Sequence, residues 1–203
     1  MNQNTTGANN VAVGAQALDA NTTANSNTAV GFKALTANTT GSHNIGIGNK
    51  ALQSNTTGTS NIAVGSNALG LNTTADNNTA LGNNALLANT TGSLNVAVGS
   101  GALDSNTTAS QNTAVGHESM QNNSTGEQNT AVGRGSLYSN NTGNYNVGIG
   151  KRALYTNTTG SQNTSVGTNA LDNNSTANNN TAVGYNSLGA NSTGTDNVAV
   201  GSL

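Results

Sequence analysis

Residues 27–43 read NTAVGFKALTANTTGSH, and Asn44 begins the same pattern again. We number the positions of this pattern as slots 1 to 17. From residue 10 to residue 196 it recurs eleven times without insertion or deletion. Slot 1 is always Asn, slot 5 is always Gly, and slots 12 and 14 are always Asn and Thr. A period this strict indicates stacked units, each packing on its neighbours.

The composition favours a thin core that neighbouring units share. Leu, Ile, Val and Phe make up about 16 % of the 203 residues, and the formal net charge is only −2. Disorder is the alternative, but disordered chains usually combine low hydrophobicity with high net charge. The chain has no Cys, so disulfides and thiolate metal sites are excluded. Five basic residues and short apolar runs predict no nucleic-acid partner and no membrane insertion by this segment.

The repeat predicts an all-β fold, namely a parallel β-solenoid (a β-roll or β-helix) of about twelve 17-residue coils. Seventeen residues cannot hold two packed helices, and Asn, Thr and Gly at fixed slots disfavour helix. Slots 2 to 4 alternate, as in Val96, Ala97 and Val98. This alternation predicts a short strand whose slots 2 and 4 face the same way. The Gly at slot 5 suits a bend with positive φ or a close backbone approach.

The rest of the coil is predicted to hold two more strands. Slots 8 and 9, as in Ala102 and Leu103, favour a second short buried strand, and slots 12 to 14 favour a third, polar one. Three strands and three bends per coil, stacked about 4.8 Å apart, give a rod of roughly 55–60 Å. We expect one domain over residues 1–203, with full repeats over 10–196 and partial coils at 1–9 and 197–203.

Three rows of residues are the predicted structural sites. Slot 9 supplies one large core anchor per coil: Leu18, Leu35, Leu52, Leu69, Leu86, Leu103, Met120, Leu137, Leu154, Leu171 and Leu188. Slot 5 supplies the bend glycines: Gly14, Gly31, Gly48, Gly65, Gly82, Gly99, Gly116, Gly133, Gly150, Gly167, Gly184 and Gly201. Slot 12 supplies the asparagines of Asn-X-Thr triplets: Asn4, Asn21, Asn38, Asn55, Asn72, Asn89, Asn106, Asn123, Asn140, Asn157, Asn174 and Asn191.

The asparagines of slot 12 have three interpretations. The first is an inward ladder of stacked amides, and the second is a row of acceptors for N-linked glycans on an exported protein. The third is an outward row that binds ice. If slots 12 and 14 face outward instead, their files of Asn and Thr resemble the flat faces of ice-binding solenoids. The Asn-X-Ala-Val-Gly pentads at slots 1 to 5 also resemble the ice-recrystallisation-inhibition repeats of grasses.

Charged residues occupy variable slots, which predicts that they lie at outward corners. All five basic residues fall in slots 6 and 7, and the acids fall in slots 7, 10, 16 or 17. Nothing recurs around His43, His117 or the adjacent Glu118 that suggests a triad or metal cluster. We therefore predict no catalytic residue, no metal, no cofactor and no enzyme activity. Tyr138 and Tyr155 share slot 10 and should lie one coil apart on one edge, whereas Tyr145 is in slot 17.

The thin core predicts that the chain associates with itself. One large side chain per coil is little apolar burial for 17 ordered residues, so ladder hydrogen bonds and burial against another copy must add stability. Neither end carries an atypical capping coil. Open strand edges favour end-to-end stacking, unless the chain is a slice of a longer array.

A family resemblance is carried by the pentads at slots 1 to 5. Asn-Val-Ala-Val-Gly at 10–14, 95–99 and 197–201, and Asn-Ile-Ala-Val-Gly at 61–65, resemble the head repeats of YadA-type trimeric autotransporter adhesins. Similar Asn-Thr-Ala-Val-Gly arrays look like those in phage tail fibres and bacterial surface proteins. The resemblance implies a parallel β-roll, three chains side by side, and binding to a host or matrix surface or glycan. It predicts an extracellular or cell-surface fibre element, with the ice-binding solenoid as the alternative function.

Overall fold

The computed structural model describes residues 2–202, in which each coil contributes one three-residue strand at slots 2 to 4. The strands are β1 Val11–Val13, β2 Thr28–Val30, β3 Ile45–Ile47, β4 Ile62–Val64, β5 Thr79–Leu81, β6 Val96–Val98, β7 Thr113–Val115, β8 Thr130–Val132, β9 Val147–Ile149, β10 Thr164–Val166, β11 Thr181–Val183 and β12 Val198–Val200. They form one 12-stranded sheet in sequence order, with every pair parallel. The predicted all-β parallel solenoid is confirmed. Met1 and Leu203, the ends of the predicted domain, lie outside the described residues.

Stacking is held in register around the whole coil, not only in the sheet. Strand partners are 17 residues apart, as Val96 and Thr113 are. Outside the strands, Leu86 N–H donates to the Ala102 carbonyl at 2.9 Å, and Thr90 N–H donates to the Thr107 carbonyl at 2.9 Å. Since a shift of one residue would break all of these bonds at once, the 17-residue spacing tolerates no insertion.

The second and third predicted strands are wrong. Slots 8 and 9 lie in a turn, and slots 12 to 14 contain bends and no strand, as at residues 106–108. The slot-9 side chain points into the core from a left-handed backbone, with φ of +52° at Leu103. The backbone at slots 7 and 17 is also left-handed, with φ of +56° at Glu118 and +62° at Gln111. A coil of 17 residues must close on itself, and left-handed residues give the sharp reversals that extended strands cannot. Burial of an Ala-Leu pair does not distinguish a strand from a turn.

The core is built from small side chains, with one large anchor per coil. Slot 3 of each strand points inward, as the fully buried Ala97 does, while slots 2 and 4 point outward. Ala102 and Leu103 from slots 8 and 9 close the other side of the same layer. The anchors from Leu18 to Leu171 are fully buried, and Leu188 is partly buried against the cluster.

Candidate functional site

The slot-12 asparagines form a buried ladder along the rod. Asn123 donates from Nδ2 to Oδ1 of Asn106, one coil away, at 2.9 Å and to the Gly126 carbonyl of its own coil at 2.9 Å. Its own Oδ1 accepts from Asn140 Nδ2 at 2.8 Å. Both amide hydrogens are therefore used, in a side chain that is fully buried. The same pattern runs through the fully buried members of the row, from Asn21 to Asn174.

A second asparagine ladder, in slot 1, was not assigned a role from the sequence. The backbone N–H of Asn112 donates to Oδ1 of Asn95 at 3.0 Å, and its Nδ2 donates to the Gly126 carbonyl at 2.8 Å. Gly126, in slot 15, thus accepts from both ladders. The signal for this row was the strict recurrence of Asn at slot 1, because a buried amide that bonds in both directions has no substitute.

The fully buried asparagines are not presented to solvent. A glycan on Nδ2 would replace a ladder hydrogen bond and would have no room, so glycosylation and the folded ladder exclude each other at those positions. Asn4 is exposed and Asn191 is partly buried. The outward Asn file of the ice-binding interpretation is also absent over the buried row. Slot 14 alone faces outward there, as at Thr108 and Thr125.

The outer face of the sheet is an uncharged surface. Slot 2 holds Thr, Val or Ile and slot 4 holds Val, Ile or Leu in all twelve strands. In the interior of the rod these side chains stay partly exposed, with 37 % of Val64 and 40 % of Ile149 accessible. We call the side chains at slots 2 and 4 of the twelve strands the outer strand face. An exposed strip of this kind often marks an interaction surface.

The slot-5 glycines all adopt positive φ, and all but the last, Gly201, lie against the next coil. Gly99 has φ of +135°, and a Cβ there would lie 2.6 Å from the carbonyl carbon of Gly116. No side chain fits such a contact, which accounts for Gly at slot 5 from Gly14 to Gly184, whereas at Gly201 only the positive φ favours Gly.

Charged and aromatic side chains lie at the surface corners, with few pairings. His117 Nδ1 is 3.4 Å from a Glu118 carboxyl oxygen, and no group of three or more His, Cys, Asp or Glu that could hold a metal occurs within residues 2–202. His43 and Tyr145 are exposed. Partial burial raises the pKa of Asp104 above its ordinary value, although a side-chain hydrogen bond with Gln121 opposes the shift.

The fold and its rows of side chains define a repeat protein of the parallel β-solenoid class. Comparisons with models of protein families, with curated proteins and with solved structures found no match. Across the described part of the chain, no helix has the length and apolar character needed to cross a membrane.

Proposed function

We propose that this chain is an extracellular structural or adhesive fibre element that associates side by side with copies of itself through the outer strand face. The supporting observation is the continuity of that face: twelve parallel strands present Thr, Val, Ile and Leu outward with no charged residue among them. A second copy of the same face is a matching partner, because it carries the same uncharged side chains at the same strand spacing.

The dimensions of the face indicate that it is not the whole interface. Twelve strands spaced about 4.8 Å apart, each about 10 Å long, give a face of roughly 500 Å². A standard stable interface buries about 800 Å² on each partner. This face alone is smaller than a standard interface, so a stable rod also needs contacts between other faces of the coils, as three chains packed side by side would provide.

Sedimentation velocity on charge variants tests this proposal. Val98→Lys together with Val115→Lys places two adjacent cations on the outer strand face. Thr108→Lys together with Thr125→Lys adds the same charge to the exposed slot-14 row of the same two coils and serves as the control. We expect the unmodified chain and the Thr variant to sediment as a multimer, and the Val variant as a folded monomer. A monomeric unmodified chain at tens of micromolar contradicts the proposal.

Ice binding is the second candidate, and the exposed file of Thr at slot 14 favours it. One Thr per coil, as at Thr108 and Thr125, faces solvent at the regular spacing of the stack. Ice binding requires that the slot-14 Thr row stay exposed to solvent and uncovered by another copy of the chain. Thermal hysteresis that is present in the unmodified chain and lost in the slot-14 Lys variant would support it, whereas hysteresis below detection would reject it.

A further inference from the structure

A notch opens at one corner of the rod, where Gly135 leaves slot 7 without a side chain. The notch has a volume of about 210 Å³ and is lined by Glu118, Arg134, Gly135, Lys151, Arg152 and Tyr155. A Cβ at Gly135 would lie 3.3 Å from Cε2 of Tyr155, so the tyrosine ring forms a close wall. We call this group of six residues the corner notch.

Of the three cations at the corner notch, one is held in an ion pair within the described residues and two are not. Three of the five basic residues of the chain line it. The Arg152 guanidinium is held by Asp172, with Nη2 3.0 Å from Oδ2, and lies 4.0 Å from the centre of the Tyr155 ring. Arg134 and Lys151 are exposed and form no ion pair with any residue between 2 and 202. The notch thus offers two free cations beside a third that is fixed in place.

Tyr155 is itself held in place. Its ring stacks on Tyr138 with centroids 5.0 Å apart and planes inclined by 12°. The side chains of Tyr138, Tyr155 and Arg152 therefore form an ordered wall rather than mobile surface groups. A wall of this kind offers a ligand an apolar edge and a phenolic hydroxyl at low entropic cost.

Glu118 restricts the chemistry of the ligand. It lies on the opposite side of Gly135 from Arg152, in the same slot, and its carboxyl is 3.4 Å from His117. A carboxylate there repels a compact anion such as sulfate but accepts hydrogen bonds from hydroxyl groups. The notch therefore suits a ligand with a carboxylate at one end and hydroxyls at the other.

We propose that the corner notch binds a sugar acid, that is, one uronate unit. Its carboxylate would bond to the planar fork of Arg134 with support from Lys151. Its hydroxyls would reach Glu118 and Tyr155. The volume is below the roughly 300–1,000 Å³ of sites for drug-sized ligands, which fits a single sugar ring.

Isothermal titration calorimetry of the full chain with sodium glucuronate tests the proposal. We expect a Kd of about 1 mM, and no measurable binding of glucose or sulfate. Arg134→Gln removes one charge-assisted pair and should weaken binding about tenfold or more. Gly135→Asn fills the notch with a side chain that slot 7 carries at Asn169, where φ is +58° against +61° at Gly135, so the variant should fold and lose binding. Lys33→Gln, a slot-7 cation six coils away, is the control and should leave the affinity unchanged.

Three results overturn the proposal: no heat with glucuronate, sulfate binding as tightly as glucuronate, or equal affinity in the Arg134 and Lys33 variants. Circular dichroism on each variant separates lost binding from lost folding. Once binding is found, an oligoglucuronate that binds more tightly than the monosaccharide identifies a polysaccharide as the source. Equal affinity per site identifies the free sugar acid. The assay does not depend on self-association, so this proposal and the fibre proposal can fail separately.

Discussion

Removing one amide from the slot-12 ladder should damage the rod far more than removing its neighbour. Asn123 and Asn122 are adjacent in sequence, but Asn123 is fully buried and Asn122 is exposed. Asn123→Ala deletes three hydrogen bonds, of 2.9, 2.9 and 2.8 Å. The Asn122 side chain forms no hydrogen bond within residues 2–202, so Asn122→Ala makes the same change in side-chain size without deleting one.

The magnitude follows from the groups that Asn123→Ala leaves behind. Asn106 Oδ1 and the Gly126 carbonyl each lose a donor, and one Nδ2 hydrogen of Asn140 loses its acceptor. A buried polar group left without a partner costs about 1–3 kcal/mol. Gly126 retains its bond from Asn112, which reduces its share. We expect the free energy of unfolding to fall by about 3–5 kcal/mol for Asn123→Ala, and by less than about 0.5 kcal/mol for Asn122→Ala.

Urea unfolding followed by far-ultraviolet circular dichroism measures both values, at one protein concentration because association contributes to stability. Hydrogen exchange at the coils on either side shows whether the damage is local. If the two variants unfold at the same urea concentration, the buried ladder does not stabilise the rod.

Three further outcomes are expected. Leu103→Ile should lower the free energy of unfolding by about 2–4 kcal/mol, because a branched Cβ is strained at a φ of +52°. Leu103→Met should lower it by less than about 1.5 kcal/mol, since Met120 fills the same slot. Equal urea midpoints for the two variants would contradict the left-handed turn. Gly99→Ala should cost at least about 3 kcal/mol or prevent folding, because its Cβ meets the Gly116 backbone, and a native-like melting temperature would show that the coils can separate there. Burial raises the pKa of Asp104 above its ordinary 3.8, so the folded state favours the protonated form and loses stability as the pH rises through that pKa. Asp104→Asn should therefore raise the melting temperature at pH 7 and have little effect below the ordinary carboxyl pKa; a gain of equal size at both pH values would exclude the titration.

Periodicity allowed the overall architecture to be predicted from the sequence. A fixed 17-residue repeat with β-branched residues in slots 2 and 4 leaves few folds other than a parallel solenoid. The inward Leu103 and the bend at Gly99 follow from the same repeat, because a lone large apolar residue must be buried and an obligate Gly marks an unusual φ.

The backbone conformation of the turns, and the choice of which strand side chains point into the core, were harder to predict. Hydrophobicity alone would put Val96 and Val98 inside and Ala97 outside, but the coil closes so tightly that only Ala, Gly or Ser fits within the strand layer. The turn at Leu103 was missed for a similar reason, since its left-handed backbone depends on packing that no local pattern encodes.

The corner notch could not be inferred from the repeat either. It depends on Gly135, which stands in a slot that mostly carries a larger polar side chain, and on three cations that meet only when coils stack. Tyr138 and Tyr155 were predicted to lie one coil apart on one edge, and the structure places their rings in contact. The link between that stack and Arg152 required the structure.

Cryo-electron microscopy of the purified protein, at a resolution that shows side chains, tests the central claim most directly. We expect rods whose cross-section contains several copies of the chain, with Val98 and Val115 buried where the copies meet. Single solenoids whose outer strand face is bare to solvent would contradict it.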